Sequence, residues 1–183
     1  MVLFLSQLGL YRLPKILKVV TCPRWPLDTS YRILWEFPMN GDLTFPMLRR
    51  ASCQIMSQFL SLSRNSEDIA HAAASVLETM VKTLSQLVGH VGSLGLFRHS
   101  LRLTEGRVPC YREMRDTKED LLLQAVATCL QQQPPDIARE AASALLTSYV
   151  TLLATFIGER LTWQLLHDQW PDIVTVHPEE KHE

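Results

Sequence analysis

Closely spaced cysteines, abundant glycine and a surplus of either charge are all missing from this 183-residue chain, and each shortage excludes a class of function. The four cysteines, Cys22, Cys53, Cys110 and Cys129, form no C-x-x-C pair. Closed zinc sites bring their ligands in close pairs, and small disulfide scaffolds carry cysteine at far higher density. The expectation is therefore reduced thiols, no metal and a cytoplasmic protein. Formal net charge is −1 and the sequence pI is about 6.6, which removes the global electrostatic case for nucleic acid or an anionic membrane as an obligatory partner. No stretch approaches the ~20 consecutive apolar residues of a spanning helix, so no membrane span is expected.

Only seven glycines are present, and three fall in Gly89-His90-Val91-Gly92-Ser93-Leu94-Gly95. A phosphate-binding loop needs a preceding strand and a Gly-Lys-Ser/Thr ending, and a dinucleotide fingerprint needs a βαβ unit. Here the cluster follows a helical pattern and ends Leu-Gly-Leu-Phe, so it reads as a bend and not a nucleotide site. Gly92-Ser93-Leu94-Gly95 fails as a nucleophile elbow because Val91 stands where a glycine is required. Histidine is sparse too. His71 and His167 lack a helical partner at metal-ligand spacing, and His177 and His182 lie in a charged tail. No catalytic, cofactor-binding or metal-ligating set emerges.

What is present is helical periodicity. At 46% hydrophobic and 20% charged residues, the chain has globular proportions and enough length for one core. The spacing predicts a helix over 47–62 with Leu48, Ile55, Met56, Phe59 and Leu60 near one face. A second helix, over 67–88, carries Ile69, Ala73, Val76, Met80, Leu84 and Leu87 in one stripe. Asn65 or Ser66 is placed to cap the second, with Glu67 and Asp68 at its positive end. A short helix over 94–103 follows the bend, then a polar loop over 104–115. Asp116 and Glu119 suggest a capping box for a helix over 117–132.

The longest signal runs from Pro134 to Gly158. Proline marks the entrance, Asp136 sits beside the first turn, and Gly158 stands where a helix ends. Ile137, Ala141, Leu145, Tyr149, Leu152, Phe156 and Ile157 share one face, and Ala138, Ala142, Leu146 and Leu153 widen it. Such width implies neighbours on two sides and places this helix at the centre of an all-α antiparallel bundle of about five to six helices. Trp163 and Trp170 can cover the bundle's end, with Pro171 stopping the last helix.

Residues 1–46 form a Pro/aromatic-rich N-terminal arm, residues 47–176 the helical bundle domain and residues 177–183 a charged tail. In the arm, Val2 to Leu10 is apolar, but Arg12, Lys15 and Lys18 follow it, the wrong order for a secretory signal. Val19-Val20-Thr21-Cys22 resembles a bacterial lipoprotein cleavage site, with Thr21 and the upstream lysines departing from the pattern. Asn40-Gly41 suits a tight hairpin turn, although a two-residue turn would set apolar against polar faces. The arm is equally consistent with packing across the helices, with a dimer-forming arm, or with an extension upstream of a start at Met39 or Met47.

Two surfaces attract attention. Arg98, Arg102, Arg107, Arg112 and Arg115, with Lys118, concentrate positive charge around the loop after the short helix, partly neutralised by Glu105, Glu113 and Asp116. Trp25 and Trp35 give the arm its own contact area. Arg98, Arg102, Arg107, Arg112, Trp25 and Trp35 are thus the candidate interaction surface. His99, Arg102 and Tyr149 are the polar groups that an alternative pocket between helices would use.

Leu152-Leu153-Ala154-Thr155-Phe156-Ile157-Gly158-Glu159-Arg160-Leu161-Thr162, followed by Leu165-Leu166 and Trp170-Pro171, resembles the C-terminal signature of a family of uncharacterised bacterial all-helical proteins. The likeness spans roughly 67–171. It implies a bacterial source and a helical domain, and carries no activity with it. The functional expectation is a non-enzymatic protein–protein interaction or regulatory module that binds a protein partner or forms a homo-oligomer. The alternative is a small-ligand sensor or small enzyme with a pocket between the helices.

Overall fold

Helix α1, Pro46–Leu60, opens the computed structural model, which describes residues 45–174. Five more helices follow: α2 (Ser66–Val88), α3 (His90–Thr104), α4 (Leu122–Gln131), α5 (Pro135–Ile157) and α6 (Glu159–Gln169). Two 3-10 segments, Pro109–Met114 and Glu119–Leu121, lie between α3 and α4. The fold is all-helical over the described residues, and no strand occurs among them. The Asn40-Gly41 hairpin, Trp25, Trp35, Cys22 and the tail over 177–183 lie outside them.

Local chemistry accounts for the helix ends. Pro46 occupies the first turn of α1, where its missing N–H costs nothing, and Pro135 does the same for α5. The Asn65 side chain accepts the Asp68 N–H at 2.7 Å, and Glu67 and Asp68 face the positive end of α2. Gly89 and Gly158 end α2 and α5 with φ of +79° and +89° and ψ of 161° and 156°, a region open essentially to glycine alone. Each therefore reverses the chain in a single residue, so α3 and α6 start at once.

Three sequence expectations need correction. The bend is Gly89 alone: Gly92 and Gly95 lie inside α3, which begins four residues earlier than its apolar pattern suggested. The capping box at Asp116 does not form, because a 3-10 turn at Glu119–Leu121 intervenes and α4 starts only at Leu122, without a side-chain cap. Finally, Cys110 and Cys129 are joined in a disulfide, with Cα atoms 6.5 Å apart, and are not reduced thiols. A bridge needs two elements brought within reach and no sequence proximity, and it clamps the first 3-10 segment to α4. Cys53 is a free, exposed thiol.

The core lies between α2 and α5, with α1, α3, α4 and α6 packed around them. Ser66 Oγ donates to the Gln133 carbonyl at 2.6 Å, and the Arg139 guanidinium donates to the Ser63 carbonyl, which brings the starts of α2 and α5 together. Both helices are 23 residues long, so they run side by side to a common far end. Buried Ala70 and Ala73 in α2, and Ala138, Ala141 and Ala142 in α5, are small enough to let helices approach closely. Burial in α5 follows the doublets Ala141/Ala142, Leu145/Leu146, Tyr149/Val150 and Leu153/Ala154, the wide surface expected of a central helix. Phe156, placed on the buried face by periodicity, instead stands exposed, as does Leu87 at the end of α2.

Substitution of the glycines separates the two backbone settings. Gly89→Ala and Gly158→Ala are each expected to lower stability by about 1–3 kcal/mol, because alanine cannot adopt those angles without strain. Gly95→Ala, in a helix with open space around its Cα, is expected to raise stability by about 0.5–1 kcal/mol. Urea unfolding midpoints of the three variants check both signs.

Candidate functional site

The loop between α3 and α4 brings most of the predicted cationic residues together. Arg98, Arg102 and Glu105 recur every three to four residues and so share a face of α3. The chain then folds back over that face. Val108, Tyr111 and Met114, three residues apart, match the repeat of a 3-10 turn and are all buried beneath it. The segment read as a polar loop is thus a tethered lining of the bundle, and this three-residue spacing was the sequence signal for it.

The arginines divide by task. Arg98 donates to the carbonyls of Arg115 (3.1 Å) and Thr117 (2.9 Å), and lies 3.9 Å from the Glu119 carboxylate. It is three-quarters covered and spends both Nη groups fixing the returning chain. The Arg115 guanidinium grips both carboxylate oxygens of Glu105. That fork, then the charges of Arg115, Arg112 and Arg102, holds the Glu105 carboxyl below the ordinary carboxylate range against the opposing effect of burial. Arg102 is exposed and makes no hydrogen bond or ion pair among the described residues. Arg107 and Arg112 are exposed on the same loop.

Between α3 and the Pro109–Met114 turn lies a cavity of about 10 Å³, lined by Arg98, Leu101, Arg102, Glu105, Tyr111, Met114 and Arg115. Tyr111 is 2% exposed, its hydroxyl meets no partner, and burial pushes its phenol far above its ordinary value. A shallow depression of about 400 Å³ lies beside Gln54, Ser57, Gln58, Asp172 and Ile173, without converging charges.

The alternative set does not assemble. Tyr149 is fully buried, edge-on to Phe97 with ring centroids 5.6 Å apart. The Ser93 hydroxyl donates to the Val81 carbonyl at 2.8 Å, so the Tyr149 hydroxyl, 3.1 Å away, donates to Ser93. Burial pushes the Tyr149 phenol up to about 12. His99 is exposed on α3, and Arg102 faces the loop cavity, which Tyr149 does not line. No group of three His, Cys, Asp or Glu side chains among the described residues is placed to hold a metal ion.

A second surface was missed from the sequence because its residues belong to apolar stripes. Ser93, on α3, touches α2 through Val81 and α5 through Tyr149, fifteen and fourteen residues from the respective helix starts. The corners at Gly89 and Gly158 therefore lie at the same end of the bundle. Around them Leu87 is 59% exposed, Val91 74%, Phe156 68% and Leu161 54%, with Val88 also exposed. The signal for this surface was positional: these apolar residues fall within a turn of a helix-reversing glycine.

No protein-family model matches the chain, and no curated protein or solved structure shows significant similarity to it. The resemblance drawn from the C-terminal string thus rests on that string alone.

The Glu105–Arg115 bridge yields a pH test. A carboxyl whose folded value lies below its unfolded value stabilises the protein above the unfolded value, and the contribution disappears as pH falls through the folded one. Glu105→Gln is expected to lower Tm at neutral pH, less so in high salt, and the gap to the parent should close once the pH drops below the ordinary carboxylate range. Thermal melts across pH at two salt concentrations check it.

Proposed function

We propose that the chain is a non-enzymatic protein-interaction module that self-associates through the apolar end of its bundle. The observation that carries this reading is that Leu87, Val91, Phe156 and Leu161, each more than half exposed, all lie within a turn of the two helix-reversing glycines. Large apolar side chains gathered at one exposed end mark interaction surfaces on soluble proteins, because leaving them in water forgoes the free energy of their burial. A second copy suits the surface. The formal net charge of −1 opposes association of two copies only weakly, and Glu159 and Arg160 beside the patch supply opposite charges that can pair across a two-fold axis.

The polar groups support the same reading. Tyr149 is committed to Ser93 within the core and His99 stands on the surface, so the set that a ligand sensor or enzyme would use does not converge. Helix α5 is long and apolar enough to cross a bilayer by length and composition. Its contacts with α1, α2, α3, α4 and α6 favour a role as the core helix of a bundle in water.

Light scattering on the full chain over a concentration series tests the proposal. The parent is expected to approach twice its 20.9 kDa chain mass. The double variant Val91→Lys, Phe156→Lys is expected to stay monomeric with stability within about 0.5 kcal/mol of the parent, since both sites are exposed. A parent that remains monomeric at every concentration, or a variant that still dimerises, overturns the proposal.

A further inference from the structure

Two buried donors without acceptors share the small cavity between α3 and the Pro109–Met114 turn. Tyr111 lines it with a hydroxyl that no described group accepts, and Arg98 lines it with an Nε–H in the same condition, its two Nη atoms being spent on the carbonyls of Arg115 and Thr117. A buried polar group left unpaired costs about 1–3 kcal/mol, and such groups in native proteins generally mark an unseen water or ion. Two such donors on residues that line one space ask for an acceptor.

The surroundings narrow the choice. The cavity is about 10 Å³, near the lower bound for one water-sized atom, and it is open on one side. Arg98, Arg102 and Arg115 stand around it against Glu105 and Glu119. Arg115 is matched by Glu105 and Arg98 is near Glu119, which leaves the exposed Arg102, attracted to Glu105 only at longer range, as the cation at the rim without a hydrogen bond or close ion pair. A group with one oxygen small enough to enter, a second oxygen for the rim arginine, and a single negative charge fits both the space and the charge. We propose that this cleft binds one carboxylate group, with one oxygen accepting from Tyr111 Oη–H and Arg98 Nε–H inside and the other meeting Arg102 at the mouth. Phosphate and sulfate bring further oxygens and a second charge, more than one small space and one rim cation call for. The site stands apart from the apolar end and does not depend on the self-association reading.

The source of the carboxylate is either a small free acid or an acidic side chain or C-terminus of a protein, and sodium formate reproduces the shared chemistry with the least bulk. The test follows the Arg98 Nε–H resonance of the 15N-labelled full chain as sodium formate is added, with ionic strength held constant by sodium sulfate. The expected result is a saturable shift, with affinity lowered about tenfold or more in Tyr111→Phe, as loss of a hydrogen bond to a charged group implies. Without formate, the Tyr111→Phe variant should unfold at a midpoint no lower than the parent's, because its hydroxyl has no protein partner to lose. Arg102→Gln, at an exposed position, should also weaken binding while leaving the fold intact. A shift that never saturates, equal affinity in parent and Tyr111→Phe, or a Tyr111→Phe variant already destabilised without formate would each overturn the site, the cavity then holding only water or an acceptor of the protein's own. If formate binds, a short peptide ending in a free carboxylate and its C-terminal amide separate the two sources: a carboxylate-dependent gain over formate identifies a protein terminus, and equal affinity identifies a small acid.

Discussion

A hydroxyl in the middle of an apolar core constrains much of this structure. Tyr149 sits midway along the central helix, fully buried, and its oxygen is satisfied only because α3 presents Ser93 at the same height while Ser93 in turn reaches the α2 backbone at Val81. An unpaired phenol there would forfeit more than the ring's burial gains from a slightly shifted packing, so the register of three helices is tied to one hydrogen-bond relay. Phe97, one turn along α3 from Ser93, then meets the Tyr149 ring edge-on. The relay also decides where the chain must reverse. With Ser93 fixed beside Val81, only a few residues remain for α2 to end and α3 to begin, and Gly89 alone accommodates that reversal.

The same economy governs the region after α3. A chain returning over a helix face carries carbonyls that need donors, and Arg98 supplies two of them. The Cys110–Cys129 bridge holds the turn from the other side, against α4. The positive charge that dominates this stretch in the sequence is therefore partly internal fastening: Arg98 and Arg115 hold the returning chain and Glu105, while Arg102, Arg107 and Arg112 stand exposed. Cysteine spacing is a rule about metal ligands and dense scaffolds and is silent on a bridge between distant elements.

Much of the fold was legible where local chemistry and periodicity agree. Asn65, Pro135 and Gly158 each announce a helix end by a mechanism that does not depend on the rest of the chain, and the stripe from Ile69 to Leu84 in α2 is buried as its spacing implies. Failure came where tertiary contacts outrank local preference. Gly92 and Gly95 look like a break, yet packing of Ser93, Leu94 and Phe97 draws them into α3. Asp116 and Glu119 have the spacing of a capping box, but Arg98 claims the neighbouring carbonyls and holds that stretch in a turn. Of the candidate site, the arginines were visible and their division of labour was not, because that depends on which carbonyls the fold brings to them. Tyr111 was hidden inside a segment whose polar residues masked a three-residue apolar repeat. The exposed apolar end was hidden for the opposite reason, since Leu87 and Phe156 continue stripes that are buried everywhere else.

The central claim is that the Pro135–Ile157 helix is the innermost element of a bundle stable in water, although its composition would also suit a bilayer. Native-state hydrogen exchange on the full chain in detergent-free buffer tests this most directly. The account predicts that the amides of Leu145, Leu146, Tyr149, Val150 and Leu153 exchange slowest of all, and only through global unfolding. Rapid exchange at those positions in buffer, with protection appearing only when the chain is placed in micelles or bilayers, would contradict it.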